Sequence, residues 1–177
     1  MKFIVVIMLL LVTPIVHAEN KNLTDFGTVA QISLPITAGV IALVKGDEKG
    51  FFQLAEGTIY TTTVIHTLKW AINEERPDHS GNNSFPSGHT AAAVDGAAFL
   101  QFRYGWKYGL PAYALSAVVG YSRIQAHKHY LHDVIAGELL ATSIHYIITD
   151  MGYSMTNVFF LPYINGKGVG IYMSKGF

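Results

Sequence analysis

The residues best placed to do chemistry stand near the middle of the chain, where Ser122-Arg123 is followed after five residues by His129 and after three more by Asp133. A histidine and a carboxylate four apart, on a helix or across its first turn, reach each other. The carboxylate holds a proton on one imidazole nitrogen and leaves the other free to attack an electrophile. Arg123 adds a planar fork of donors matched to phosphate oxygens. An ordinary surface pair at a polar helix start has the same spacing, so this cluster gains its meaning from the others.

A second cluster, Pro86-Ser87-Gly88-His89-Thr90, follows a loop and opens an apolar segment. There the N–H groups of Ser87, Gly88 and His89 are expected to face an anion at the positive end of a helix. Ser87 can add a hydroxyl, and His89 has a pKa suited to giving and taking protons near neutrality. A third cluster is the cation pair Lys69 and Arg76, seven residues apart and just before Pro77. On one continuous helix both side chains leave the same face, which makes the pair either a solvated helix surface or one wall of an anion site.

Taken in order, Lys69, six residues, Arg76-Pro77, then Pro86-Ser87-Gly88-His89, then Ser122-Arg123, five residues, His129, three residues, Asp133, resemble the three-part signature of the phosphatidic acid phosphatase type 2 family. That family shares its active site with vanadium haloperoxidases. The resemblance spans residues 69–133 and implies an all-α helical bundle of the acid phosphatase and vanadium haloperoxidase type. It implies His129 as nucleophile, Asp133 as its orienting carboxylate and His89 as the acid that protonates the leaving alcohol and later activates water. Lys69, Arg76, Ser87, Gly88 and Arg123 are implied as holders of the phosphate oxygens, with no cofactor and no metal. The implied substrate is a phosphorylated lipid, such as phosphatidic acid, phosphatidylglycerophosphate, an isoprenoid pyrophosphate or a lipid A type, or else a small phosphate ester. A phosphotransferase, a soluble periplasmic acid phosphatase, a vanadate-dependent haloperoxidase and a silent envelope scaffold are the alternatives. The chain is short beside the haloperoxidases.

The elements that must position these residues are read from apolar runs and breakers. Helices are expected over 26–44, 51–75, 90–103, 108–121 and 131–146, with a loop over 78–84 and Pro77 ending the second helix. Segments 158–164 and 169–173 are β-branched or aromatic-rich around Asn165-Gly166-Lys167-Gly168, which predicts a short C-terminal β-hairpin. Residues 26–44 are long enough to cross a bilayer, although Gln31, Ser33 and Thr37 also suit a buried core helix.

Half of the 177 residues are hydrophobic and 14% are charged, with twelve basic against twelve acidic groups. That balance offers no field for nucleic acid, and the apolar surplus points to a membrane. With no cysteine, a disulfide framework, a thiol nucleophile and a thiolate metal site are all excluded. Lys2, an apolar run and Pro14 before Val16-His17-Ala18 read as a signal peptide over 1–18, leaving 19–177 as one exported domain with its site facing the periplasm or exterior. His127, His129 and His132 are close enough in sequence to suggest a metal site, but neighbouring residues point different ways and His129 is already employed. Asp95 and Glu138 interrupt apolar helices as hydrogen-bonded interior groups or functional ones, and Asp78 and His79 are candidates for the entrance of the site.

Overall fold

Helix α1 (Lys21–Val44) starts ahead of its apolar run because Asn20 caps it, its side-chain oxygen accepting the Leu23 N–H at 3.3 Å. The structure is a computed structural model and describes residues 20–165 and 168–175, so the signal peptide expected over 1–18 lies outside the described residues. One face of α1 is buried and mostly small, with Gly27, Ala30, Leu34, Ala38 and Ala42 at helical spacing. The other face, with Val29, Ile32, Ile36, Val40 and Leu43, is apolar yet exposed. Among the described residues α1 is the one helix long and apolar enough to cross a membrane, with a mean hydropathy of 1.7.

Asp47 caps α2 (Glu48–Ile72) by accepting the Gly50 N–H at 2.9 Å. The same carboxylate accepts Arg103 Nε at 2.7 Å and the Tyr104 hydroxyl at 2.8 Å, which ties the α1–α2 turn to the end of α3 (Gly88–Tyr104). Hydrogen bonding from Arg103 holds the Asp47 carboxyl well below the usual carboxylate range. The second helix stops earlier than expected. Asn73 turns left-handed at φ 52° and closes α2 by donating its N–H to the Lys69 carbonyl, so Glu75 and Arg76 belong to the following loop.

Helix α3 is central, packing against α1, α2, α4 (Trp106–Gln125) and α5 (Leu131–His145), and Ala93, Val94, Ala97, Ala98 and Phe99 bury almost its whole circumference. Its crossing with α1 is close: a Cβ at Gly96 would stand 2.7 Å from the Pro35 backbone nitrogen. Asp95 is an interior hydrogen-bonded group, accepting from the Thr58 and Thr61 hydroxyls of α2 and lying 3.0 Å from His145 Nε2 on α5. Glu138 is half-buried on α5. Only Gly105, at φ 86°, separates α3 from α4, and α5 runs on into a single π-helical turn at Tyr146–Asp150.

The body is thus a five-helix all-α bundle among the described residues. Beyond it the backbone of β1 (Val158–Asn165) pairs antiparallel with β2 (Gly168–Lys175), from Val158 opposite Lys175 to Asn165 opposite Gly168. Residues 166 and 167 of the expected hairpin turn lie outside the described residues.

Candidate active site

The site forms at one end of the bundle, where α2 ends, α3 and α5 begin, and the turn after α4 brings in a histidine. The loop after Asn73 folds back on itself. Ser84 N–H donates to the Glu74 carbonyl and Arg76 N–H to the Gly81 carbonyl, both at 2.9 Å. Lys69, in the last turn of α2, reaches across to donate to the carbonyls of Asn83 at 2.5 Å and Ser84 at 3.0 Å. Arg76 Nε donates to Asn83 Oδ1 at 2.8 Å. The expectation that one helix carries both cations on one face is therefore corrected: Asn73 ends the helix between them, and Asn83 gathers both instead. Lys128 pairs with Asp78, fastening this loop to the turn that holds His129.

His129 lies in that turn. The Arg123 carbonyl accepts the N–H groups of Lys128 at 3.1 Å and His129 at 3.3 Å, which fixes the backbone beneath the ring. Asp133 sits in the first turn of α5, fully buried, and its Oδ2 accepts from Ser84 Oγ at 2.5 Å and Tyr130 N–H at 2.9 Å. His129 Nδ1 lies 3.3 Å from the same oxygen. Because an ionised carboxylate only accepts, Nδ1 carries the proton and Nε2 keeps its lone pair. The sequence reading of a histidine oriented by a carboxylate across the start of a helix describes this geometry.

A cavity of about 510 Å³ opens beside these groups, and Lys69, Arg76, Gly88, His89 and His129 all line it. Asp133 stands behind His129. Gly88 and His89 are the first residues of α3, where backbone N–H groups have no acceptor within the helix. Ser87 and Arg123 do not line the cavity. Ser87 is buried as the cap of α3, its Oγ accepting the Thr90 N–H at 3.4 Å, and its own N–H donates to the Asp133 carbonyl at 2.9 Å. α5 can approach that closely because residue 137 is glycine, where a Cβ would meet the Ser87 carbonyl oxygen at 2.6 Å. Arg123, in the last turn of α4, donates to the Thr24 carbonyl, the Thr28 hydroxyl and Ser122 Oγ, and so braces the start of α1.

Charge in the cavity is one-sided. Burial, and then the neighbouring Arg76, bring Lys69 down to about 8 from its ordinary 10.5. Burial lowers His89 from 6.5 to about 4, with Arg123, Arg76 and Lys69 adding to the effect. Burial, then Lys69 and Arg76, lower His129 from 6.5 to about 4 against the opposing pull of Asp133. Both imidazoles are thus neutral at neutral pH. An arriving phosphate would offset the cations and raise the basicity of His89, while burial, the larger cause, still lowers it.

Of the expected entrance residues, His79 pairs with Glu75 on the surface and Asp78 serves the Lys128 bridge. The trio His127, His129 and His132 is not gathered; the cluster that does form among the described residues joins His132 to Glu74 and Asp133. Asn83 and Ser84, which the sequence reading treated only as loop, position Lys69, Arg76 and Asp133, and their signal is a polar, turn-forming run between Arg76 and Pro86.

A family model described as the PAP2 superfamily matches residues 50–155. A lipid A 4'-phosphatase of Helicobacter pylori is 35% identical over 138 residues, covering 72% of this chain and 69% of that protein. A lipid A 1-phosphatase of Porphyromonas gingivalis is 29% identical over 123 residues, covering 66% of this chain but 27% of the relative. The crystal structure of Aquifex aeolicus LpxE superposes with a TM-score of 0.64 at 22% identity, covering 75% of this chain and 85% of that one, a likeness of fold.

Proposed function

The chain belongs to the PAP2 superfamily, and from that membership we propose that it is a phosphoric ester hydrolase that removes phosphate from a phosphorylated lipid of the lipid A class through a phosphohistidine at His129. The observation that carries the reading is one cavity lined by two cations, Lys69 and Arg76, and two neutral imidazoles, one of them backed by a buried carboxylate.

In the first step His129 Nε2 attacks phosphorus in line, so that a P–N bond forms as the P–O bond to the lipid breaks. His89, charged once phosphate is bound, gives its proton to the departing oxygen. The imidazolium made at His129 is balanced by Asp133 through Nδ1–H. In the second step His89 takes a proton from water, the water oxygen attacks phosphorus and the P–N bond breaks, releasing inorganic phosphate. Lys69, Arg76 and the N–H groups that open α3 hold the non-bridging oxygens. Arg123 and Ser87 belong to the proposal as further holders of phosphate oxygens, and their present partners brace the wall of the pocket.

The substrate class is supported by the names of the relatives and by the exposed apolar face of α1, which runs away from the end of the bundle that bears the cavity. α1 spans about 36 Å at 1.5 Å per residue, enough to cross a bilayer core and leave the cavity at headgroup depth. The same proposal includes export directed by residues 1–18, a single domain over 19–177 with its site facing the periplasm or exterior, and a C-terminal hairpin.

The test is phosphate release with EDTA present, comparing lipid A, diacylglycerol pyrophosphate, phosphatidic acid and a soluble aryl phosphate, each with and without vanadate. Vanadate-sensitive release that favours lipid A is expected. Release from the aryl ester alone would replace the lipid reading with that of a soluble acid phosphatase, and full activity in His129→Ala would remove the phosphohistidine.

A further inference from the structure

Behind the cavity wall three donors from different elements meet: Glu74 from the loop after α2, and His132 and Asp133 from the start of α5. His132 Nε2 lies 2.9 Å from Glu74 Oε1 and 3.1 Å from Asp133 Oδ1. One ligand atom from each residue lies within 4.8 Å of the others. While Asp133 Oδ2 serves Ser84, Tyr130 and His129, Oδ1 is buried and has no hydrogen-bond partner among the described residues. Its neighbour His132 is close, but the proton on Nε2 is directed at Glu74. An unpaired buried carboxylate oxygen is costly, and here it faces an imidazole nitrogen and a second carboxylate.

The histidine is held for this task. Its ring stacks on Tyr130, with centroids 5.3 Å apart and planes 9° apart, and on Phe85, with centroids 6.0 Å apart and planes 29° apart. Two aromatic neighbours fix the direction in which Nε2 points. The two pairs that share His132 Nε2, about 3 Å apart, approach the roughly 3.4 Å edge of a tetrahedron whose bonds to the metal are about 2.1 Å. His132 and Glu74 are both reachable from solvent, with side chains 55% and 29% exposed.

We infer that Glu74, His132 and Asp133 Oδ1 bind a divalent cation of the zinc class, with water as the fourth ligand. One nitrogen and two carboxylate oxygens suit zinc better than magnesium, which demands a near-octahedral shell of oxygens. Binding takes the tautomer of neutral His132 that carries its proton on Nδ1 and offers the Nε2 lone pair, and the two carboxylates balance the charge of the ion. The ion takes no part in phosphoryl transfer. It acts on it, because a carboxylate that ligates a cation through Oδ1 is a weaker acceptor at Oδ2, where His129 Nδ1–H donates. On the role proposed above for Asp133, the loaded protein turns over more slowly.

The test is a Co²⁺ titration of the tag-free full chain followed by visible absorption, with Zn²⁺ as competitor. One equivalent should give the absorption of tetrahedral cobalt, and Zn²⁺ should erase it. In Glu74→Gln and in His132→Phe, which keeps a ring between Tyr130 and Phe85, affinity should weaken by at least about 10-fold. Absence of the band, or an unchanged affinity in both variants, overturns the site. Zn²⁺ should slow phosphate release by the unaltered chain and not by the two variants, whose metal-free activity is retained; equal inhibition of all three overturns the coupling. The cobalt signal needs no substrate, so a chain without phosphatase activity would sink the proposed function and leave the site standing.

Discussion

Replacing Asp133 with asparagine separates what the carboxylate does by position from what it does by charge. Oδ2 accepts from Ser84 Oγ, Tyr130 N–H and His129 Nδ1–H at 2.5, 2.9 and 3.3 Å. The Tyr130 N–H is a fixed donor, so the asparagine oxygen must take the place of Oδ2 and its NH₂ group the place of Oδ1. All three donors keep an acceptor, the negative charge is lost, and the NH₂ group stands about where Oδ1 lay 3.1 Å from His132 Nε2, which then accepts from it in its other tautomer. A hydrogen bond involving an ion contributes about 1.5–3 kcal/mol against about 0.5–1.5 kcal/mol for a neutral pair. The imidazolium that forms at His129 therefore loses roughly 1–1.5 kcal/mol, which is about 10-fold in turnover. Asp133→Ala is a different perturbation. It leaves the Ser84 hydroxyl and the Tyr130 N–H without their acceptor, for a destabilisation of about 2–4 kcal/mol, and frees the His129 ring, so turnover should fall by about 100-fold or more. The assay is single-turnover phosphate release in EDTA beside a melting curve for each variant. Asparagine as inactive as alanine, with an unshifted melting temperature, would refute the claim that orientation is the larger part of what Asp133 supplies.

Other outcomes follow from the same geometry. Since His89 must be protonated to donate and stands at about 4 without phosphate, kcat/KM should fall as pH rises toward neutrality, and below about 4 protonation of His129 should remove the nucleophile; a profile that climbs into the alkaline range would contradict this. Both histidines bind fewer protons folded than unfolded between about 4 and 6.5, so folded stability should be full above 6.5 and decline as pH falls toward 4, measured by denaturant midpoints across that window. Asn83→Ala removes the acceptor of Arg76 Nε and should lower kcat/KM by about 10-fold with little change in melting temperature; an unchanged rate would mean that Arg76 is placed without it. Gly96→Ala drives a methyl group against the Pro35 backbone and should cost about 1–3 kcal/mol, and an unshifted melting temperature would show that α1 and α3 do not cross so closely.

That Lys69, Arg76, Gly88, His89 and His129, with Asp133 behind, come together was legible in the sequence because the chemistry proposed for them demands particular side chains at particular spacings. The helices were legible because their apolar runs are long. What escaped was decided by contacts between segments. Asn73 is a weak local signal, an αL-tolerant residue ahead of a proline, yet it moves Arg76 off the helix and makes Asn83 the residue that gathers the two cations. That Ser87 also caps α3 and donates its N–H to the Asp133 carbonyl, where Gly137 lets α5 come close, is written in no local signal. No spacing rule contains the contact between Arg123 and α1, which joins residues 99 apart.

The partners of the two cavity cations explain why an anion belongs between them. Lys69 donates to two backbone carbonyls and Arg76 Nε to a side-chain amide oxygen. Neutral acceptors fix the position of a cation without cancelling its charge, whereas Asp47 does cancel that of Arg103 at the opposite end of the bundle. The cavity is left with surplus positive potential, which adds to burial, the larger cause, in keeping His89 and His129 uncharged. A phosphate dianion would offset that surplus at both histidines. The Nδ1–H on Asp133 leaves Nε2 of His129 as the lone-pair atom, and the same carboxylate raises the basicity of that ring; both rings line the cavity. On the proposed mechanism the division between nucleophile and acid is therefore made by Asp133, which backs one of two rings that start from the same protonation state.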